Sequence, residues 1–123
     1  MRFEERHSPW KRREEALRVL AKFPSRVPII VQVSTGSQKS LGRLLRKKKY
    51  LVPLDLKMGQ FLGVLRANMQ LKPHAALFAL VKGNKIPPIG DLIISVYHKF
   101  KSEDHFLYID LCSENTFGYV CSF

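Results

Sequence analysis

The sequence predicts an α+β fold, a mixed sheet crossed by a helix, on three observations. Segments of helical apolar spacing and segments rich in β-branched residues follow one another as helix, strand, strand, helix, strand, helix, strand. The 123 residues, 46% apolar and 25% charged, have the composition of one ordinary globular domain able to bury a core. No internal repeat at solenoid or propeller spacing interrupts that reading.

Phe3 to His7 suits a short helical turn, stopped by Ser8-Pro9. Trp10 reads as an aromatic anchor pinning this piece to the rest. Lys11 to Lys22 places Ala16, Leu17, Val19 and Leu20 at helical spacing, and Pro24 closes the helix. Val27 to Val33 is β-branched and reads as a strand, with Pro28 near its end or at an unpaired position because proline cannot donate to a ladder. Ser34-Thr35-Gly36-Ser37 is a turn or loop leading into a basic stretch. Tyr50-Leu51-Val52-Pro53 is a very short strand whose neighbouring lysines and closing proline suit a sheet edge. Met58, Phe61, Leu62, Leu65 and Met69 form the apolar face of an amphipathic helix that ends by Pro73. Ala76 to Val81 reads as a buried strand, Lys82 to Lys85 as a turn, and Ile86 to Gly90 as an extended connection. Asp91 is placed to cap a helix from Leu92 to about Lys99. Phe106 to Ile109 is the last strand, and Thr116-Phe117 lies at or beyond the end of the ordered core.

The net charge of +11 is unevenly spread. Residues 16–90 hold fourteen Lys and Arg against Asp55 alone, whereas residues 91–123 hold two against five acidic groups. The densest point is Arg46-Lys47-Lys48-Lys49. Such a run serves as a solvated face, or as a docking surface for nucleic acid, an anionic membrane or an acidic peptide. No helix-turn-helix, RNA-recognition, GxxG or zinc-finger signature accompanies it, which argues against nucleic acid.

Catalytic chemistry is not indicated. His7, His74, His98 and His105 are scattered with no HExxH, and neither GxGxxG nor GxxxxGK[ST] occurs. Cys112 and Cys121 cannot supply a four-thiolate zinc site or a disulfide framework. No apolar run approaches the roughly 18–20 residues of a membrane span, and the segment beginning at Met1 lacks a secretory signal. The expectation is a reduced, cytoplasmic protein that is not an enzyme and holds no metal or cofactor.

Specific strings carry more. Lys47-Lys48-Lys49-Tyr50-Leu51-Val52-Pro53, followed by Asp55-Leu56 and Gly59-Gln60-Phe61, closely resembles the autophagy-related protein 8 family. That family of ubiquitin-like modifiers includes microtubule-associated light chain 3 and the GABA-receptor-associated protein. Phe23-Pro24-Ser25-Arg26-Val27-Pro28, Pro87-Pro88, Phe106-Leu107-Tyr108 and Ser113-Glu114-Asn115-Thr116-Phe117-Gly118 agree in order. The resemblance spans about Phe3 to Gly118.

It implies a ubiquitin-like β-grasp core over residues 27–118, an N-terminal helical extension over 1–26, and a tail, 119–123, removed by processing. A cysteine protease would cut between Gly118 and Tyr119. Ubiquitin-activating-like and conjugating-like enzymes would then pass the Gly118 carboxylate to the amine of phosphatidylethanolamine. The glycine suits this route, since no Cβ obstructs threading into narrow active sites. The lipid would convert a chain without a span into a membrane-bound one, each buried methylene contributing roughly 0.8 kcal/mol. The protein would occupy the cytoplasm and, once lipidated, autophagosome and vacuolar or lysosomal membranes.

The resemblance also implies cargo receptors that dock through short aromatic-x-x-aliphatic motifs by extending the sheet beside Lys49 to Val52. Alternate residues of such a strand share a face, so two pockets are needed. The family pattern lines the aromatic pocket with Val19, Pro28, Ile30, Lys49, Leu51 and Phe106, and the aliphatic pocket with Tyr50, Val52, Pro53, Leu56, Phe61 and Val64. Acidic flanks of the motif give Arg26 and Lys47 to Lys49 a partner without nucleic acid. Micromolar affinity is expected, on the order of −8 kcal/mol. The rival reading keeps the fold as a non-lipidated peptide-binding adaptor in vesicle trafficking or at microtubules, whose acidic tubulin tails the basic N-terminal helices suit; the chain is expected to be a monomer in solution. The sequence departs from the family in a longer, more basic Ser34 to Arg46 loop and in Trp10 for a phenylalanine. It departs also in Asn68 for a basic residue and in Lys57 for a threonine, which removes a cap of about 1 kcal/mol.

Overall fold

The computed structural model describes residues 2–113 (for residues 39 and 40, the backbone). The elements are α1 (Phe3–Arg6), α2 (Pro9–Lys22), β1 (Arg26–Val33), α3 (Gln38–Leu41), β2 (Lys49–Pro53), α4 (Met58–Met69), β3 (Leu77–Leu80), α5 (Ile93–Phe100) and β4 (Leu107–Ser113). The strands form one sheet in the order β2-β1-β4-β3. The central pair β1–β4 is parallel and both outer pairings are antiparallel, the mixed α+β sheet expected.

Alternation along β1 assigns its two faces. Val27, Ile29, Val31 and Val33 point into the main core with Leu107, Ile109 and Leu111 of β4, Phe61 and Leu65 of α4, and Ile93 and Val96 of α5. Ile30 points the other way, into a smaller cluster with Phe3 of α1, Ala16 of α2 and Phe106, against which Tyr108 packs. With helices on both faces, seven of the eight β1 residues are buried, which accounts for an unbroken β-branched run rather than an alternating one.

Pro28 is accommodated as its chemistry demands. The Val31 amide donates to the Lys48 carbonyl at 2.7 Å, so in this register residues 27, 29 and 31 bond across to β2. Pro28 therefore turns its nitrogen toward β4, whose pairing begins only at Ile29.

Several expectations are corrected. α2 begins at Pro9, where a missing N–H costs nothing in the first turn. Its sheet-facing positions are Arg12, Glu15, Ala16, Val19 and Leu20. Trp10 falls on the opposite side, two residues from Arg12 around a helix of about 3.6 residues per turn, and is 64% exposed. Among the described residues it joins neither core cluster, whereas Phe3 joins the smaller one. The loop after β1 is no simple turn: a 3₁₀ turn over Thr35–Ser37 leads into α3, and Leu41 and Leu45 enter the main core.

Asp91 makes no side-chain cap on α5. The first free amides of that helix are instead taken up by backbone, Ile93 donating to the Leu56 carbonyl and Ile94 to that of Leu54. α4 is capped the same way, so the Lys57 position is compensated. Met58 donates to the Asp91 carbonyl, Gly59 to that of Ile89, and the Lys57 amide to Gln60 Oε1. A Cβ at Gly59 would meet the Ile89 oxygen at 3.1 Å, which explains a glycine there. α4 ends at Met69, ahead of Pro73, with Gln70 in the left-handed region. β3 is shorter than expected, and β4 runs on to Ser113 rather than stopping at Ile109.

Candidate peptide-docking edge

β2 is an edge strand of the sheet, with β1 on one side. The register determines which of its backbone groups face outward. Tyr50 and Val52 pair with Ile29 and Val27 at the bonded positions, so Lys49 and Leu51 turn both N–H and C=O away from β1. These are the groups that another strand, laid along this rim, would meet.

A cavity of about 420 Å³ opens beside the rim on the α2 face of the sheet. Val19 and Glu15 of α2, Arg26 and Pro28 of β1, Lys47, Lys49 and Leu51 near or on β2, and Phe106 line it. Five members of the expected aromatic pocket are thus brought together. Ile30, the sixth, lies fully buried with Phe3, Ala16 and Phe106.

The other face of β2 carries Tyr50 and Val52 of the expected aliphatic pocket. Tyr50, Val52 and Phe61 are buried in the main core, the Tyr50 and Phe61 rings meeting edge-on at 5.5 Å. Val64 of α4 is exposed and Leu56 half-buried, whereas Pro53, exposed and paired with Arg26, stands by alternation on the face of Lys49 and Leu51. Positions three apart on an extended peptide point to opposite faces, and β2 offers Lys49 and Leu51 on one face and Tyr50 and Val52 on the other.

The cavity wall depends on a buried polar hub. Asp104 accepts from Arg12 Nη1 at 2.8 Å, from the Tyr108 hydroxyl at 2.5 Å and from the Phe106 amide at 3.0 Å. It thereby ties α2 to the start of β4 and sets Phe106 in place. Burial, and then the bond to Asp104, push the Tyr108 hydroxyl above the ordinary phenol range, so it remains a donor at neutral pH.

Charges at the mouth are paired internally. Lys49 Nζ donates to Glu15 Oε1 at 2.7 Å and lies 5.2 Å from the centre of the Phe3 ring. Arg26 Nη1 donates to the Leu51 carbonyl at 3.2 Å. Lys47 Nζ sits 4.9 Å over the Tyr50 ring. Sequence reasoning missed Glu15, Arg12 and Asp104. The spacing of Arg12, Glu15, Ala16 and Val19 carried a signal, because it places two charged residues on the stripe that faces the sheet.

No grouping of three or more His, Cys, Asp or Glu able to hold a metal occurs among the described residues, and no described helix is long and apolar enough to cross a membrane. Gly118 and Tyr119 lie outside the described residues.

A family model described as autophagy protein Atg8, ubiquitin like, matches residues 11–118. The chain belongs to the Atg8 family. Among curated Atg8 proteins, autophagy-related protein 8e of Arabidopsis thaliana is 47% identical over 108 residues, covering 88% of this chain and 85% of the relative. Autophagy-related protein 8 of Emericella nidulans is 43% identical over 117 residues, covering 95% and 96%. The crystal structure of Trypanosoma brucei ATG8 superposes with a TM-score of 0.84 at 34% identity, over 93% of this chain and 95% of that one. The fold is accordingly the ubiquitin-like Atg8 fold, and the protein is a ubiquitin-like protein of autophagy.

Proposed function

We propose that this Atg8 protein is trimmed after Gly118, joined through that residue to phosphatidylethanolamine, and used on autophagosome membranes to recruit cargo receptors that dock on the β2 rim. The observation that carries the docking half is the rim itself. Outward backbone groups at Lys49 and Leu51 lie between a cavity lined by Phe106, Pro28 and Val19 on one face of β2 and the Tyr50 and Val52 side on the other, where Leu56 packs against the main core. An aromatic-x-x-aliphatic segment added as a fifth strand would direct its two anchors to these two faces.

The conjugation half rests on family membership and on the match running to residue 118, which is Gly118. Here residues 1–26 act as a helical extension walling the aromatic pocket, 27–118 as the ubiquitin-like core, and 119–123 as the segment lost to a cysteine protease. Activating-like and conjugating-like enzymes act on the exposed glycine. The chain is their substrate.

Gly118→Ala is expected to leave the unfolding temperature unchanged and to abolish both trimming and lipidation. Intact-mass analysis of protein from starved cells reads this directly. Wild type should lack residues 119–123 and carry the mass of phosphatidylethanolamine, and the variant should retain Phe123. A lipidated, faster-migrating band in the variant would overturn the assignment of Gly118.

A further inference from the structure

Arg26 stands at the first position of β1, opposite Pro53, and its guanidinium crosses to the Leu51 carbonyl at 3.2 Å. By the register above, that carbonyl is one of the outward-facing groups of the rim. An incoming strand would donate an amide to the same oxygen. We infer that Arg26 is an internal competitor for the docking edge, a side chain that engages the Leu51 carbonyl in the free protein and gives up that bond to the amide of a docking peptide strand.

The inference rests on the peptide-docking reading and adds to it a basis for discrimination. Release of Arg26 costs a hydrogen bond to the carbonyl, which the peptide amide replaces. It also sets free a guanidinium with five donors, which needs an acceptor. An acidic residue beside the motif supplies one as a charge-assisted bond, stronger than the neutral bond that was lost. A peptide with neutral flanks returns the guanidinium only to water. Arg26 therefore penalises neutral-flanked peptides and rewards acidic-flanked ones. Lys49, already held by Glu15 at 2.7 Å, offers a less available charge for the same purpose.

The test uses the full chain and two synthetic peptides sharing one Trp-x-x-Leu core, one flanked by aspartates and one by serines, titrated calorimetrically. In Arg26→Ala the serine-flanked peptide should bind about threefold more tightly, the size of one exposed hydrogen bond no longer displaced. The aspartate-flanked peptide should bind less tightly than to wild type, so the preference between them narrows from both sides. Arg26→Lys should restore attraction for aspartate without restoring the planar two-donor geometry, giving an intermediate ratio. The Leu51 carbonyl carbon resonance should differ between wild type and Arg26→Ala, and in wild type it should shift when peptide binds. Parallel weakening of both peptides, or an unmoved Leu51 carbonyl, would overturn the inference. Failure of both peptides to bind wild type would overturn the docking reading first, and this inference with it.

Discussion

Replacing Arg12 with alanine is expected to lower the unfolding free energy by about 3–5 kcal/mol, the cost of leaving one half of a buried ion pair without its partner. Asp104 is 6% exposed, and Arg12 is the cation paired to it at 2.8 Å. The variant keeps the bonds from the Tyr108 hydroxyl and the Phe106 amide, but these leave a full negative charge buried between α2 and β4. A double substitution, Arg12→Ala with Asp104→Asn, should recover part of the loss by removing the stranded charge. Chemical denaturation of the four proteins in the cycle measures this. The folded Tyr108 holds its proton more tightly than the unfolded chain does. Its share of the stability is therefore present at neutral pH and is lost as pH rises beyond the ordinary phenol value of 10.0. Because the hub also fixes α2 against Phe106, the same variant should bind peptide more weakly even where it remains folded.

Leu51→Pro is expected to reduce affinity for an aromatic-x-x-aliphatic peptide at least about tenfold while leaving the sheet formed, since one backbone donor and one pocket wall are lost together. The Leu51 N–H faces away from β1, so a proline there removes nothing from the β1–β2 ladder, and proline is tolerated on an edge strand. Leu51→Ala separates the two contributions, losing the wall and keeping the donor. Tyr50→Pro is the opposite control. It deletes an amide paired to Ile29 and should destabilise the fold itself. Unimpaired binding by Leu51→Pro, with circular dichroism unchanged, would mean that docking does not use the outward donor of this strand.

Much of this architecture was legible in the chain. The β-branched run before Val33 and the three-four spacing from Met58 to Met69 each gave an element with nearly the observed bounds, because both bury a continuous apolar stripe in the main core. α3 was hidden by the lysines and arginines around it, although Leu41, Leu44 and Leu45 already had helical spacing. Trp10 misled because size suggests burial, whereas position around the helix decides it. Asp91 misled because a good capping residue is redundant where neighbouring carbonyls already reach the helix amides. Within the candidate site, the family strings named most residues. They did not reveal that Arg12 and Asp104, 92 positions apart, meet beneath the cavity, nor which β2 groups face outward. The first needs the tertiary fold and the second needs the register.

Addition of ligands to the sheet at β2 leaves a signature in amide hydrogen exchange, read residue by residue by NMR. In the free protein the Tyr50 and Val52 amides should be protected, and those of Lys49 and Leu51 should exchange quickly. On adding an aromatic-x-x-aliphatic peptide, protection should rise at Lys49 and Leu51 and stay unchanged at Tyr50 and Val52. Tight binding that leaves the Lys49 and Leu51 amides exchanging as fast as before would rule out strand addition at β2.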